Sequence, residues 1–286
     1  MADTPDLSQR RRRLRTVLGT VTVGCLLTAG LALPAVRPNN ANAAGVRPAE
    51  IRPTIVLVHG AWADGSSWSG VVRRLQADGY PVVVPGNPLR GIGTDAASLA
   101  AVLRTISGPV VLVGHSYGGA VISNAAAGDP AVKALVFVDA FVPDLGETVL
   151  QLAIAQPGSC LGGDPTKVFD LVPAAPNGDV DVYIKRDLYP GCFASDIPHA
   201  DAVVLAATQR AVALSALGSP SGVPAWRTLP SWYVVGTADR VIPPAEQRIM
   251  ATRAHARITE VDGSHPSMIG HPDAVTDVIR AAATAA

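Results

Sequence analysis

Short apolar runs and amphipathic segments alternate along most of this chain. Residues 54–58 form a mostly apolar run of strand length, and residues 67–78 place apolar side chains at helical spacing before Gly79. The same alternation resumes near the C-terminus. It predicts strands at 54–58, 81–84, 110–113, 134–138, 231–235 and 257–261, and helices at 67–78, 95–107, 118–127, 200–217, 244–254 and 272–283.

Strands that alternate with helices predict a mostly parallel sheet covered by helices on both faces, which is an α/β fold. The alternation fails between residues 144 and about 228, where Pro, Gly and Asp are frequent and one helix is predicted. We interpret 144–228 as an insertion into an α/β domain of residues 54–286. Residues 44–53, rich in Pro and Ala, form a short flexible lead-in.

The N-terminal segment has a different character. A cluster of arginines at residues 10–15 precedes an uncharged run at 16–36, and Ala-Asn-Ala follows at 41–43. This order is typical of a secretory signal peptide, so we expect export and cleavage after residues 1–43. A membrane anchor or lipid attachment at Cys25 are the alternatives. Gly, Thr and Ala dilute the run, and leucines continue beyond Cys25, which favours cleavage and no stable membrane anchor.

Removal of this leader changes the charge balance. The chain has 23 basic and 23 acidic residues, but six arginines and two aspartates precede residue 44, which leaves 17 basic and 21 acidic residues. A mildly acidic chain without basic clusters gives no reason to expect a nucleic-acid partner. The pattern makes no prediction of the oligomeric state.

Two cysteines, Cys160 and Cys192, follow the leader. Their spacing is not typical of a zinc site, and an even number of cysteines in an exported protein predicts a disulfide. Two separate buried thiols are the alternative, because spacing alone does not show that two cysteines meet.

The sequence GHSYG at residues 114–118 lies between a predicted strand and a predicted helix. In this position G-x-S-x-G is typical of a nucleophile elbow, a strained turn that exposes a serine hydroxyl above the sheet. A serine in an ordinary Gly-rich turn has the same pattern, but the flanking strand and helix favour the elbow. Ser116 is therefore the candidate nucleophile.

A serine nucleophile of this kind needs an acid and then a histidine further along the chain. His265 directly follows the last predicted strand, whereas the other histidines precede Ser116 or lie in the insertion or at helix ends. Asp239 follows the strand at 231–235 and is the favoured acid, with Asp139 as its rival after an earlier strand. The acid would fix the tautomer of the histidine and stabilise its protonated form.

Two backbone N–H groups are candidates for binding the oxyanion of the reaction. Tyr117 begins the helix after the elbow, and Ala61 lies in the loop after the first strand. Trp62 and Phe141 are candidates for lining an apolar substrate pocket, although packing in the core explains either one as well. We find no Gly-rich phosphate loop and no metal-ligand spacing in the sequence, so we expect no cofactor and no metal.

Five motifs together resemble the α/β-hydrolase superfamily, in particular its branch of carboxylesterases, plant methyl esterases and hydroxynitrile lyases. The resemblance implies the α/β-hydrolase fold, a triad at Ser116, Asp239 and His265, and a cap formed by residues 144–228. The motifs are HGAWADGSSW (59–68), GHSYGG (114–119), VDAFVP (138–143), GTADRVIPP (236–244) and GSHPSMIGHP (263–272).

The resemblance also separates the activities of this branch. Its hydroxynitrile lyases have a lysine after the catalytic histidine, where this chain has Pro266, so a lyase is disfavoured. Its hormone receptors often lose or slow the triad, whose three residues are all present here. We expect a secreted serine hydrolase that cleaves small to medium uncharged carboxylic esters through an acyl-enzyme, with lactones as alternative substrates.

Overall fold

The computed structural model describes residues 52–174 and 178–286. The strands in chain order are β1 (Thr54–Val58), β2 (Val82–Val83), β3 (Val110–His115), β4 (Val132–Val138), β5 (Phe169–Ala174), β6 (Asp179–Ile184), β7 (Val212–Ala213), β8 (Ser231–Gly236) and β9 (Arg257–Val261). The helices are α1 (Ser69–Ala77), α2 (Ile92–Leu103), α3 (Tyr117–Ala125), α4 (Val149–Ala153), α5 (Pro165–Val168), α6 (Tyr189–Cys192), α7 (His199–Thr208), α8 (Leu214–Leu217), α9 (Pro244–Arg253), α10 (Ser267–Gly270) and α11 (Pro272–Thr284).

A six-stranded sheet in the order β2-β1-β3-β4-β8-β9 forms the centre, and each neighbouring pair is parallel. Alternate residues of β1 face opposite sides. Val56 and Val58 pack in the cluster with α2, α3 and α9, whereas Ile55 and Leu57 pack with α1 and α11. Helices therefore cover both faces, and the predicted α/β fold with a parallel sheet is confirmed.

The strand order groups the loops after four strands at one edge of the sheet. The carboxyl ends of β3, β4, β8 and β9 lie side by side in the sheet. In open α/β sheets, the loops at this edge form the binding crevice. These loops begin with Ser116, Asp139, Thr237 and Asp262, so every candidate for the triad lies in or next to one of them.

The segment between β4 and β8 forms a cap over this edge. It contains helices α4 to α8 and a three-stranded antiparallel sheet in the order β5-β6-β7. The sequence analysis did not predict this small sheet. Its middle strand, Asp179–Ile184, nevertheless begins with polar and apolar residues in alternation (DVDV), which is a strand signal.

The single helix predicted at 200–217 is wrong between residues 209 and 213, which separate α7 from the short helix α8. Helix α7 ends at Thr208, and the side chain of Gln209 then pairs with the backbone of β6: it accepts from Ile184 N at 2.9 Å and donates to Ile184 O at 2.8 Å. Strand β7 follows and pairs Ala213 with Asp181. The hydrogen bonds to β6 outweigh the helical spacing of the sequence.

The predicted signal peptide at 1–43 and most of the lead-in at 44–53 lie outside the described residues. In the part of the chain that the structure describes, no helix combines the length and apolar character needed to cross a membrane.

Candidate active site

Ser116 lies in a strained turn between β3 and α3. Its φ of 54° and ψ of −126° place a non-glycine residue in a region that side chains rarely adopt. The flanking glycines allow the close packing of this turn. A Cβ at Gly114 would lie 2.6 Å from the carbonyl oxygen of Gly118, and one at Gly118 would lie 2.6 Å from that of Val58.

The hydroxyl-bearing residue is more enclosed than the sequence analysis expected. Ser116 is only 1% exposed. It lines a cavity together with side chains of the cap, including Leu161 and Val182. The elbow therefore presents the serine to an interior cavity under the cap. Without the insertion, the same elbow would face solvent at the edge of the sheet.

His265 and Asp239 form a buried pair. Nδ1 of His265 lies 2.8 Å from Oδ2 of Asp239, and both side chains are fully buried. Burial lowers the pKa of His265 to about 3, so the imidazole is neutral near pH 7. With the Nδ1 proton donated to Asp239, Nε2 carries the lone pair, and it has no hydrogen-bond partner among the described residues. The arrangement leaves Nε2 free to accept a proton.

The Asp239 carboxylate is held by further donors. Oδ1 accepts from Val241 N at 2.7 Å and Ile242 N at 3.0 Å, and Oδ2 accepts from Nε2 of Gln247 at 2.7 Å. Burial raises the pKa of Asp239, and these hydrogen bonds oppose that rise because they favour the ionised form. Sequence reasoning missed Gln247, which lies on α9, eight residues beyond the acid.

Asp139 occupies a separate position at the same edge. Its Oδ1 accepts from Gly236 N at 2.7 Å and its Oδ2 from Ser267 N at 3.1 Å. It thus links the end of β8 to the start of α10, two residues beyond His265. Burial, and then the charge of Asp239, raise the pKa of Asp139. Asp239 therefore contacts the imidazole of His265, whereas the carboxylate of Asp139 binds backbone N–H groups.

The loop after β1 carries Ala61, which lines the cavity beside Ser116 and Tyr117. His59 and Asn87 hold this loop. Nε2 of His59 accepts from Asn87 N at 3.1 Å, and Nδ2 of Asn87 donates to His59 O at 2.9 Å. His59 is therefore a structural residue of the loop. The amide of Tyr117 is the first of α3, where the helix dipole favours negative charge.

The cavity measures about 490 Å³ and includes both residues predicted to line a substrate pocket, Trp62 and Phe141. The indole of Trp62 stacks on Phe169 at 5.8 Å between ring centroids. The hydroxyl of Tyr117 donates to Asp95 at 2.8 Å. None of the described side chains that line the cavity is charged.

The cap also packs directly on the imidazole of His265. The ring of Phe193 meets it edge to face at 4.8 Å between centroids. On another side, the ring of His115 lies 4.7 Å away, and its Nε2 is 3.1 Å from the backbone oxygen of His265. These contacts hold the imidazole away from water. Sequence reasoning did not identify Phe193, because its contact with His265 joins distant parts of the chain.

The structure joins Cys160 and Cys192 by a disulfide, as predicted. Cys160 N donates to Arg240 O at 2.7 Å, next to Asp239 in the chain. Cys192 directly precedes Phe193. The disulfide thus connects two parts of the cap. One is bonded to the loop of Asp239 through Cys160, and the other precedes Phe193, which packs on His265.

Removal of this disulfide is expected to destabilise the protein. The cysteines are 32 residues apart. Closing a loop of this size stabilises by about 3–4 kcal/mol in the chain-entropy model, so a Cys160→Ser/Cys192→Ser variant should melt roughly 10 °C lower. Thermal unfolding of variant and wild type measures this. Intact mass after alkylation of the unreduced, denatured wild type is the control, and two alkylated cysteines would contradict the bond.

The chain is similar in sequence to known esterases. It is 36% identical over 112 residues to a carbendazim hydrolyzing esterase of Nocardioides sp. (strain SG-4G), covering 34% of this chain and 46% of the relative. It is 30% identical over 247 residues to a pimeloyl-(acyl-carrier protein) methyl ester esterase of Xanthomonas campestris pv. campestris (strain B100), covering 79% of this chain and 93% of the relative.

The fold has a counterpart among solved structures. A pyrethroid hydrolase from Sphingobium faniae JZ-2 superposes with a TM-score of 0.65 at 23% sequence identity, covering 81% of this chain and 97% of that chain. A family model described as the alpha/beta hydrolase family matches residues 55–278. The chain therefore belongs to the alpha/beta hydrolase family.

Proposed function

We propose that this protein is a secreted serine hydrolase that cleaves uncharged carboxylic esters of small to medium size. The observation that carries the proposal is the buried pair of His265 and Asp239 at the edge where the strained Ser116 meets an uncharged cavity. The names of the two curated relatives, an esterase and a methyl ester esterase, support ester hydrolysis as the activity.

In the first half of the proposed reaction, Oγ of Ser116 attacks the carbonyl carbon of the ester and its proton passes to Nε2 of His265. The backbone N–H groups of Ala61 and Tyr117 donate to the oxyanion that forms. Asp239 stabilises the protonated imidazole. The intermediate then breaks the bond between carbonyl carbon and alkoxy oxygen, His265 returns the proton to that oxygen, and the alcohol leaves an acyl-Ser116.

Water completes the cycle. A water molecule attacks the acyl carbon through its oxygen while His265 accepts a proton from that water. A second tetrahedral intermediate forms at the same oxyanion site. When this intermediate collapses, the bond to Oγ breaks and His265 returns the proton to Ser116. The carboxylic acid is released, and the enzyme is regenerated.

The cavity supports an uncharged substrate. Its described lining side chains are apolar apart from Ser116 and Tyr117, and the Tyr117 hydroxyl is bound to Asp95. An unpaired charge is costly to bury in such a site. A panel of nitrophenyl esters of increasing acyl length tests this. The panel also contains matched lactones and one ester that carries a free carboxylate on its acyl chain. The uncharged esters should be hydrolysed, and a preference for the charged ester would contradict the proposal.

Export is part of the proposal. It is supported by the arginine cluster and uncharged run before residue 44 and by the disulfide between Cys160 and Cys192, since such bonds persist in oxidising compartments. The intact mass of protein recovered from the culture medium or the cell envelope gives the cleavage position. A chain that keeps residues 1–43 there would contradict it.

Chelation is expected to leave activity unchanged, because every proton transfer in the proposed reaction uses side chains of the chain itself. In the described ranges, no group of three or more His, Cys, Asp or Glu is placed to hold a metal ion. Ester turnover before and after extended dialysis against EDTA measures this, with a zinc-dependent hydrolase treated in parallel. Loss of activity that added metal restores would contradict the cofactor-free mechanism.

A further inference from the structure

The cavity reaches the surface at apolar side chains that are themselves exposed. Four cavity-lining residues keep 44–62% of their surface accessible to solvent. We call these four residues the cavity rim: Leu150, Ile154, Leu171 and Leu214. They come from α4 and the position after it, from β5 and from α8, so three separate parts of the cap contribute apolar side chains that both line the cavity and face solvent.

Exposed apolar side chains that are scattered singly are common on protein surfaces, whereas a contiguous group often marks a binding site. The cavity rim is continuous with the cavity because each of its members also lines it. An apolar path therefore runs from the surface to Ser116. A substrate that fits inside the cavity would not need the outer part of this path.

We propose that the substrates of this site include esters with a long, uncharged aliphatic chain, whose outer part lies across the cavity rim while the ester group reaches Ser116. This inference rests on the proposed function and extends its size range. A methylene removed fully from water strengthens binding about fourfold, and one covered on a single side strengthens it about twofold. Three or four methylenes on the rim should therefore strengthen the binding of a long ester roughly tenfold relative to a short one.

Matched pairs of variants test the rim. Leu150→Ser/Ile154→Ser changes side chains that are 47% and 62% exposed on the rim, and Val203→Ser/Val204→Ser changes side chains that are 47% and 59% exposed on α7, away from the cavity lining. The kcat/KM values for nitrophenyl dodecanoate and butanoate are measured below the concentration at which the long ester aggregates. Because the rim variant changes two of the four rim residues, we expect the dodecanoate-to-butanoate ratio to fall roughly threefold in the rim variant and to stay unchanged in the α7 variant.

Equal ratios in the two variants would overturn the proposal. Light scattering gives the second test, because dimeric wild type that becomes monomeric in the rim variant would make the rim a subunit interface and would also overturn it. If the double variant does not fold, Ile154→Thr should shift the ratio by a smaller amount in the same direction. Butanoate hydrolysis that survives Ser116→Ala would refute the proposed function, whereas Ser116-dependent hydrolysis with equal ratios refutes only the role of the rim.

Discussion

Replacing Ser116 by alanine is expected to lower kcat/KM for a soluble activated ester by about 10⁴–10⁶-fold, because the residues of the proposed triad act as a unit and the acyl-enzyme cannot form without Oγ. The fold should survive, since the hydroxyl faces a cavity and the backbone of the elbow keeps its bonds, such as Ser116 N to Val138 O at 3.3 Å. Steady-state kinetics and labelling by a fluorophosphonate probe measure the effect. Both activity and labelling should disappear.

Ser123→Ala is the matched control for this experiment. Ser123 is a fully buried serine on α3, the helix that follows the elbow, and its hydroxyl donates to Gly119 O at 2.8 Å. That variant loses one helix hydrogen bond and should keep both turnover and labelling. A Ser116→Ala protein with a tenth of wild-type activity would show that another nucleophile is used.

Replacing Asp239 by asparagine should slow the enzyme by up to about 10⁴-fold. The Oδ1 position can still accept from Val241 N and Ile242 N, so an NH₂ group would then occupy the Oδ2 position that accepts from His265 and Gln247. The imidazole then favours the tautomer that carries its proton on Nε2. In that tautomer Nε2 has no lone pair to accept a proton from Ser116. The drop in kcat of the folded variant is the measurement.

Asp139→Asn is the comparison variant. Asp139 accepts from two backbone N–H groups and is not paired with His265, so its loss should cost far less activity than that of Asp239. The reverse order of effects would assign the acid role to Asp139.

The sequence predicted the central sheet well because each of its elements has a simple pattern. Strands buried on both faces are nearly continuous apolar runs, as in 54–58 and 231–235, and the helices between them carry an apolar side. Their carboxyl ends meet at one edge whatever the loop details are. The location of Ser116, His265 and Asp239 at one sheet edge was therefore predictable from their positions after strands.

The cap was less predictable because its structure depends on contacts between distant residues. The break after Thr208 requires Gln209 to meet β6, 25 residues earlier at Ile184. The contacts of Phe193 with His265 and of Gln247 with Asp239 likewise depend on how the cap and α9 settle on the sheet edge. No local spacing in the sequence encodes them.

The uncharged lining of the cavity has a consequence for the end of the catalytic cycle. A substrate of the proposed kind would enter neutral, but its hydrolysis would leave a carboxylate where the described lining supplies no cationic side chain. Burying such a charge without a partner is unfavourable, so the acid is expelled while the ester is retained. Product inhibition should accordingly be weak near neutral pH and should strengthen when the medium is acidic enough to protonate the released acid.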